Sequence, residues 1–242
     1  MRNIFYKLFM TLALNFLIIG ASYGQVAILL LIFGDKLASE DLHLSIDGAL
    51  NASNISKMGN GSTLYGLNFG LGLHMNLNER WQFNPQFKPL SQKGIKNTNP
   101  LIDLPSELVL THTDLKLSYI EFPVMMRYNV TPDFFIAVGP QLSLLSSASQ
   151  KSIGKYTNDL EAELKLDAKE FFNKVSFSFP IELGYWIYFS NKKSSSEIKL
   201  NLFARYCHEF SRAFNDKQSF GNARISTFQF GVSFPTIKKI KN

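Results

Sequence analysis

Two sets of residues in this 242-residue chain carry groups able to do chemistry. His112 and Asp114, taken with Ser143, Ser146 and Ser147, are the side-chain types of a hydrolytic centre. In such a centre a histidine takes the serine proton and a carboxylate orients the imidazole. Nothing in their spacing fixes a mutual geometry, no nucleophile elbow accompanies them, and Ser, His and Asp are common in loops for reasons of turn chemistry. The second set is Glu121, Arg127, Glu182, Arg205 and Glu209, each at a polar position of an otherwise apolar alternation. Charges of both signs held away from water pair with each other, because an unpaired buried charge is costly. That set reads as an ionic cluster. His43, His74, His112 and His208 lack metal-ligand spacing, and the single Cys207 has no partner for an internal disulfide. No metal and no cofactor is expected.

The elements that position these residues show a period of two. Asp41–Ala52 alternates Leu42, Leu44, Ile46 and Leu50 with His43, Ser45, Asp47 and Ala49. Leu64–Leu77 sets Tyr65, Leu67, Phe69, Leu71, Leu73 and Met75 against Gly66, Asn68, Gly70, Gly72, His74 and Asn76. Arg80–Leu90 places Gln82, Asn84, Gln86 and Lys88 on its polar side, and a fourth run places Glu121, Met125 and Arg127 opposite Ile120, Phe122, Val124, Met126 and Tyr128. Phe134–Ser146, Phe172–Phe189, Glu197–Phe210 and Ala223–Phe234 complete eight runs. The links between them run long, short, long, short, long, short, long. The rhythm predicts an all-β fold: a closed eight-stranded antiparallel up-and-down transmembrane β-barrel with short periplasmic turns and long extracellular loops. Pro85, Pro89, Pro123, Pro140 and Pro180 fall inside the runs. Bulges or strand ends are expected near them, since a barrel has no edge to receive a residue without an N–H.

A soluble eight-stranded ligand carrier has the same period, with its apolar set turned inward. The size of that set decides the direction here. Lining a small cavity does not require about five large apolar residues from nearly every strand, whereas a lipid-facing band roughly 25 Å tall does. Trp81, Tyr128, Phe134, Phe189 and Phe234 stand at strand ends beside the short turns or the C-terminal tail, as an interfacial girdle at the periplasmic rim. Tyr65, Phe87 and Phe210 form a thinner girdle at the other rim. The charged set then faces a lumen just wide enough for side chains to fill.

Residues 1–24 read as a secretory signal, with Arg2 and Lys7 before the apolar Leu8–Ile19 and a small-residue cleavage site at Ala21-Ser22-Tyr23-Gly24. Its removal lowers the formal charge from +6 to +4. Residues 25–40 are an N-terminal apolar or periplasmic segment containing Ala27–Phe33, residues 41–235 the barrel, and residues 236–242 a basic tail. No basic stripe interleaved with stacking aromatics is present, so nucleic acid is not an expected partner. The expected location is the bacterial outer membrane, and the expected partners are its lipid and another envelope protein.

The long connections are where a partner would bind. Two stand out, residues 91–113 and residues 147–171. In the second, Leu160, Leu164, Ala168, Phe171 and Phe172 recur at helix-like spacing among charged residues, which predicts a short amphipathic helix over 158–172.

Several segments resemble one family. Tyr119-Ile120-Glu121-Phe122-Pro123 with Arg127-Tyr128-Asn129, then Phe135-Ile136-Ala137-Val138-Gly139-Pro140-Gln141-Leu142, and earlier Pro85-Gln86-Phe87 with Ser91-Gln92-Lys93-Gly94, are similar to the PorT-like outer-membrane β-barrels of Bacteroidota. The likeness spans residues 41–234. It implies an eight-stranded outer-membrane barrel of the sort loosely labelled a porin, some of whose relatives assist a secretion and gliding machinery. The chain departs from that pattern in continuing from Pro235 to Asn242 beyond the terminal aromatic Phe234. Residues and resemblance together predict a non-enzymatic barrel with a plugged lumen and a structural, adhesive or secretion-accessory role. A rim-site lipid-modifying enzyme or protease is the alternative, with a small channel or a soluble carrier more remote.

Overall fold

Period-two alternation becomes strand geometry throughout the computed structural model, which describes residues 41–59, 61–105, 108–156, 160–190, 197–215 and 221–236. The signal segment, Ala27–Phe33 and the tail beyond Thr236 lie outside the described residues. The strands are β1 (Leu42–Ile55), β2 (Ser62–Asn76), β3 (Trp81–Lys96), β4 (Leu108–Asn129), β5 (Phe134–Val138), β6 (Gln141–Tyr156), β7 (Glu161–Asp167), β8 (Val175–Ser178), β9 (Ile181–Ser190), β10 (Glu197–His208) and β11 (Ile225–Pro235).

These make a ring of eight antiparallel staves. β5 and β6 are one stave interrupted at Gly139-Pro140, and β8 and β9 are one stave interrupted at Phe179-Pro180. β4 pairs with both β5 and β6, while β9 pairs with β5 and β8 with β6. The β1–β11 and β3–β4 pairings close the ring. The ladder can be followed once around it. Asn51 faces Gln229, which faces Arg205, then Glu182, Ala137, Arg127, Gln82 and Asn76. The Asn76 N–H donates to the Asp41 carbonyl at 2.8 Å, so the walk returns to β1 ten residues below its start. A shear of ten over eight staves, with a rise of 3.3 Å and a spacing of 4.8 Å, tilts the strands by about 40°.

Two short turns hold the ends. At Leu77–Arg80 the Asn78 Oδ1 accepts the N–H groups of Arg80 and Trp81 at 3.0 and 2.9 Å, and at the β4–β5 turn the Thr131 Oγ1 accepts the Phe134 N–H at 3.0 Å. The outward face is apolar and exposed, including Leu50, Leu67, Phe69, Phe177, Leu183, Phe228 and Phe230. Along β2 and into the turn that follows it, that face runs from Tyr65 to Leu77. At the barrel's tilt it covers about 30 Å along the axis, enough for a hydrocarbon layer and its interface.

Three expectations need correction. The amphipathic helix is a strand: Glu161–Asp167 pairs with Ser149–Lys155 of β6, and helical backbone follows only as the 3-10 turn Lys169–Phe171. The four-residue spacing of Leu160, Leu164 and Ala168 that mimics a helix is also a multiple of two, and pairing with the outer half of β6 decides between the readings. The connections 91–113 and 147–171 are mostly sheet, because β3 runs on to Lys96, β4 starts at Leu108 and β6 reaches Tyr156. Of the prolines, Pro140 and Pro180 sit in strand breaks and Pro89 in a register shift between Lys88 and Ser91. Pro85 and Pro123 instead stay inside continuous strands, opposite Val124 and Gln141. Each strand residue sends its N–H to one neighbour only, so a proline removes one ladder bond without ending the stave.

The long outer halves of β4 and β6, with β7, stand above the apolar belt as a one-sided fin. From Ser118 to Leu108 the fin rises about 25 Å at the barrel's tilt. Its face carries the ion pairs Lys151–Glu163 at 2.9 Å and Lys155–Glu161 at 3.7 Å.

Candidate functional site

The lumen is layered by chemistry from the short-turn end upward. Lowest are His43 and His74, neighbours across the β1–β2 ladder, stacked at 4.7 Å with their planes 3° apart. The ring nitrogens of His74 lie 2.9 Å from Gln82 Oε1 and 2.9 Å from Ser45 Oγ, and Ser45 donates to Asp47 at 2.9 Å.

Above them two arginines share one carboxylate. Arg205 Nε donates to Glu182 Oε2 at 2.8 Å, its Nη2 makes a second bond to the same oxygen, and Nη2 also reaches Gln86 Oε1 at 2.9 Å. Arg127 Nη2 stands 3.5 Å from Glu182 Oε1. Its guanidinium lies 3.6 Å from the centre of the Phe135 ring. Two glycines admit the lumen aromatics. Gly184 is the cross-strand neighbour of Phe135, and a Cβ there would come within 2.0 Å of the ring; Gly231 holds the same relation to Phe203, at 2.5 Å. Lys88 and Arg205 both lie over the Phe203 ring, at 5.7 and 5.6 Å.

The next layer is centred on Lys93, whose ammonium is 2.6 Å from Glu121 Oε1 and 2.9 Å from Glu209 Oε1. Ser176 donates to the other oxygen of Glu209 at 2.6 Å, and Asn68 to Glu121 Oε2 at 3.4 Å. All three charged groups are fully buried. Acids Asp47, Glu121, Glu182 and Glu209 thus balance bases Lys88, Lys93, Arg127 and Arg205 among the buried lumen residues.

Over this network the interior turns apolar. Leu115, Leu117, Tyr119, Phe172, Phe214 and Ile225 belong to one buried cluster, with the rings of Phe172 and Phe214 4.7 Å apart and tilted by 31° where their backbones bridge. Gln150 fastens the 97–105 segment above: its Oε1 accepts the N–H groups of Leu101 and Ile102 at 2.7 and 2.9 Å, and its Nε2 donates to the Ile102 carbonyl at 3.1 Å.

All five residues read as an ionic cluster, Glu121, Arg127, Glu182, Arg205 and Glu209, are buried, in two separate groups. Lys93 joins Glu121 to Glu209, although the sequence alternation places it in the connection 91–113; Lys88 and Asp47 stand on the polar faces of their runs and join the buried charges. The signal for Lys93 is present but displaced. Before Pro89 the inward positions of β3 are even-numbered, and after Leu90 they are odd-numbered. Of the girdle residues, Trp81 and Phe234 are exposed, Tyr128 and Phe134 half-buried, and Trp81 packs on Tyr128 at 4.9 Å. Phe189 is described by its backbone alone, opposite Ile198. The candidate hydrolytic residues are not brought together. His112 faces Ile153 and Ser147 faces Ser118, six rungs lower and about 20 Å away, while Ser143 is buried in the lumen beside Gln141.

Three solved outer-membrane barrels resemble the chain. Neisserial surface protein A is 13% identical, with 81% of this chain and 97% of that one covered at a TM-score of 0.40. Ail of Yersinia pestis is 10% identical, with 80% and 97% covered at 0.36. OprG of Pseudomonas aeruginosa is 9% identical, with 83% and 98% covered at 0.35. No curated protein matches the sequence. Residues 35–234 match the outer membrane protein beta-barrel domain family, and with its eight-stave ring and lipid-facing belt the chain belongs to that family as a protein of the bacterial outer membrane.

Proposed function

We propose that the protein is a non-conducting, non-enzymatic anchor that holds its extracellular fin upright for contact with another envelope component, in a structural, adhesive or secretion-accessory role. The observation that carries this reading is the closed lumen: Lys93 clamped between Glu121 and Glu209 beneath an apolar stopper. An eight-stranded interior is just wide enough for side chains to fill, and an ionic network this deep serves to fix the barrel's shape. The fin supports the second half of the reading. Its tip exposes Val109 at 66% and Leu160 at 62%, apolar groups standing well outside the lipid. Contact with a partner is assigned to residues 91–113 and 147–171. Membership of the PorT-like barrels is inferred from Tyr119–Pro123 and Gly139–Leu142.

The test has two arms. In planar bilayers the protein gives no unitary conductance, and Arg205→Ala lowers thermal stability without opening a current; a steady current from the wild type refutes the anchor reading. In intact cells, a photo-crosslinker at Val109 or Lys155 captures a defined envelope protein that one placed on the short turn at Glu79 does not. Identical capture from both positions argues against a role for the fin.

A further inference from the structure

We propose that the foot of the fin is a binding site for the phosphorylated headgroups of outer-leaflet lipid, made by Lys116, Lys169 and Lys174 with Ser118, Ser147 and Ser149. The argument begins with register. The rung Ile120–Leu144 belongs to the apolar belt, and the rungs outside it on the same face are Ser118–Ser147 and Lys116–Ser149. The change from hydrocarbon-facing to hydrogen-bonding side chains therefore occurs within one pair of residues. Lys116 and Ser147 are exposed, and Ser118 and Ser149 half-buried.

Two further lysines come to the same level from the neighbouring stave and the 3-10 turn. Lys169 Nζ donates to the Ser146 carbonyl at 2.7 Å, and the Lys174 carbonyl accepts the Leu145 N–H at 2.8 Å. Lys174 is itself exposed, directly before the outward Val175 and Phe177, the latter 57% exposed. Three ammonium groups and three hydroxyls thus stand where the belt ends, which is the depth of the headgroups. A long lysine side chain lies along apolar surface with its charge toward the polar layer.

Three acids share the neighbourhood. Asp167 is opposite Ser149 and accepts the Lys169 N–H at 2.9 Å, and Glu170 is exposed on the turn. Asp114, two residues above Lys116 on the same face, is buried and accepts the Asn97 N–H at 3.2 Å, which leaves Lys116, Lys169 and Lys174 against Asp167 and Glu170 at the solvent-facing surface. One pair of rungs higher the pattern ends, since Lys151 is paired with Glu163. Continuity with the lipid-facing belt selects the occupant: a ligand bound here has its charge at the foot of the fin and its chains against Ile120, Leu144 and Phe177.

The test uses the full mature protein in a neutral detergent. The probes are bisphosphorylated lipid A, the same lipid after enzymatic removal of both phosphates, and inorganic phosphate. Bound lipid is read by native mass spectrometry, and the heat-unfolding midpoint is read alongside. Bisphosphorylated lipid is expected to be retained and to raise the midpoint, with the dephosphorylated form at least tenfold weaker. K116Q/K169Q/K174Q together abolish that preference, on a scale of about fivefold per lysine, while a Lys57→Gln/Lys155→Gln control keeps it. If the triple variant does not fold, K174Q alone must reduce the preference, and raised salt must weaken wild-type binding. Equal retention of the two lipids overturns the proposal. So does a midpoint rise of equal size from inorganic phosphate alone, which would mark a free-anion site, or a preference unchanged in the variants.

Discussion

Phe135 lies in the space that a side chain on Gly184 would fill: the two face each other across the β5–β9 ladder, and a Cβ on Gly184 would stand 2.0 Å from the ring. The ring in turn carries Arg127 on its face, and Arg127 reaches Glu182, two residues before that glycine. One small residue therefore sets the position of an aromatic, a guanidinium and a carboxylate. Gly184→Ala is expected to cost about 1–3 kcal/mol by overpacking. Urea unfolding in vesicles checks this, and Phe135→Leu in the same background should recover part of the loss by vacating the ring's space.

A different kind of loss is expected at Lys93. Lys93→Met removes the one cation, among the described residues, within salt-bridge distance of both Glu121 and Glu209 and leaves two buried carboxylates on either side of its place. Removing one partner from a buried ionic group costs about 3–5 kcal/mol, because the remaining charges stay desolvated. Adding Glu121→Gln and Glu209→Gln to Lys93→Met should restore most of the stability. A triple variant no more stable than the single one would show that Lys93 matters for its packing over Tyr119 rather than for its charge.

The inward charges of the unbroken alternations were legible in the sequence, since one face apolar and the other polar leaves them a single direction to point. Glu121 and Arg127 on β4, Glu182 on β9 and Arg205 on β10 all keep phase with their strands. Lys93 was hidden because the register shift at Pro89-Leu90 moves the inward set from even to odd positions, and a strict alternation does not survive an inserted residue. β6 does the same at Ser146-Ser147, both exposed, which conceals Ala148, Gln150 and Ser152 as inward residues. β7 is hidden for a third reason: Leu160, Leu164 and Ala168 stand four apart, which suits one face of a helix and one face of a strand alike until a partner is known.

The lipid face makes a depth-dependent prediction. Phe230 lies mid-strand on a row of the ladder with Leu50, Leu67 and Ala204, whereas Tyr65 lies near the outer end of β2. An arginine on the lipid face costs about 2–4 kcal/mol at the midplane and about 0–1 kcal/mol near the interface. Phe230→Arg should therefore destabilise the folded barrel in vesicles by several times as much as Tyr65→Arg. Equal costs would mean that the belt is not centred on that row.

At the mouth, one amide side chain holds Leu101 and Ile102 over the apolar cluster, while Thr98 is held separately by Thr113 and Met58. Gln150 satisfies two backbone N–H groups and one carbonyl of Leu101 and Ile102 while its own residue is fully buried. Gln150→Ala leaves those backbone groups without their partner in a place where Leu101 and Ile102 pack on the cluster beneath. Each group left unsatisfied costs about 1–3 kcal/mol, so the segment gains by lifting into solvent. The expected result is fast amide exchange and new protease cleavage around Leu101 and Ile102, with little change in the unfolding of the barrel, whose Lys93, Glu121 and Glu209 layer lies below and keeps its partners. Gln150→Glu separates the roles of the two amide atoms: it retains the acceptor for both N–H groups and loses the donor to the Ile102 carbonyl and to Ser152 Oγ. It should therefore hold the segment better than alanine. If alanine leaves exchange at Leu101 and Ile102 unchanged, the apolar packing alone seats the segment and the amide is dispensable.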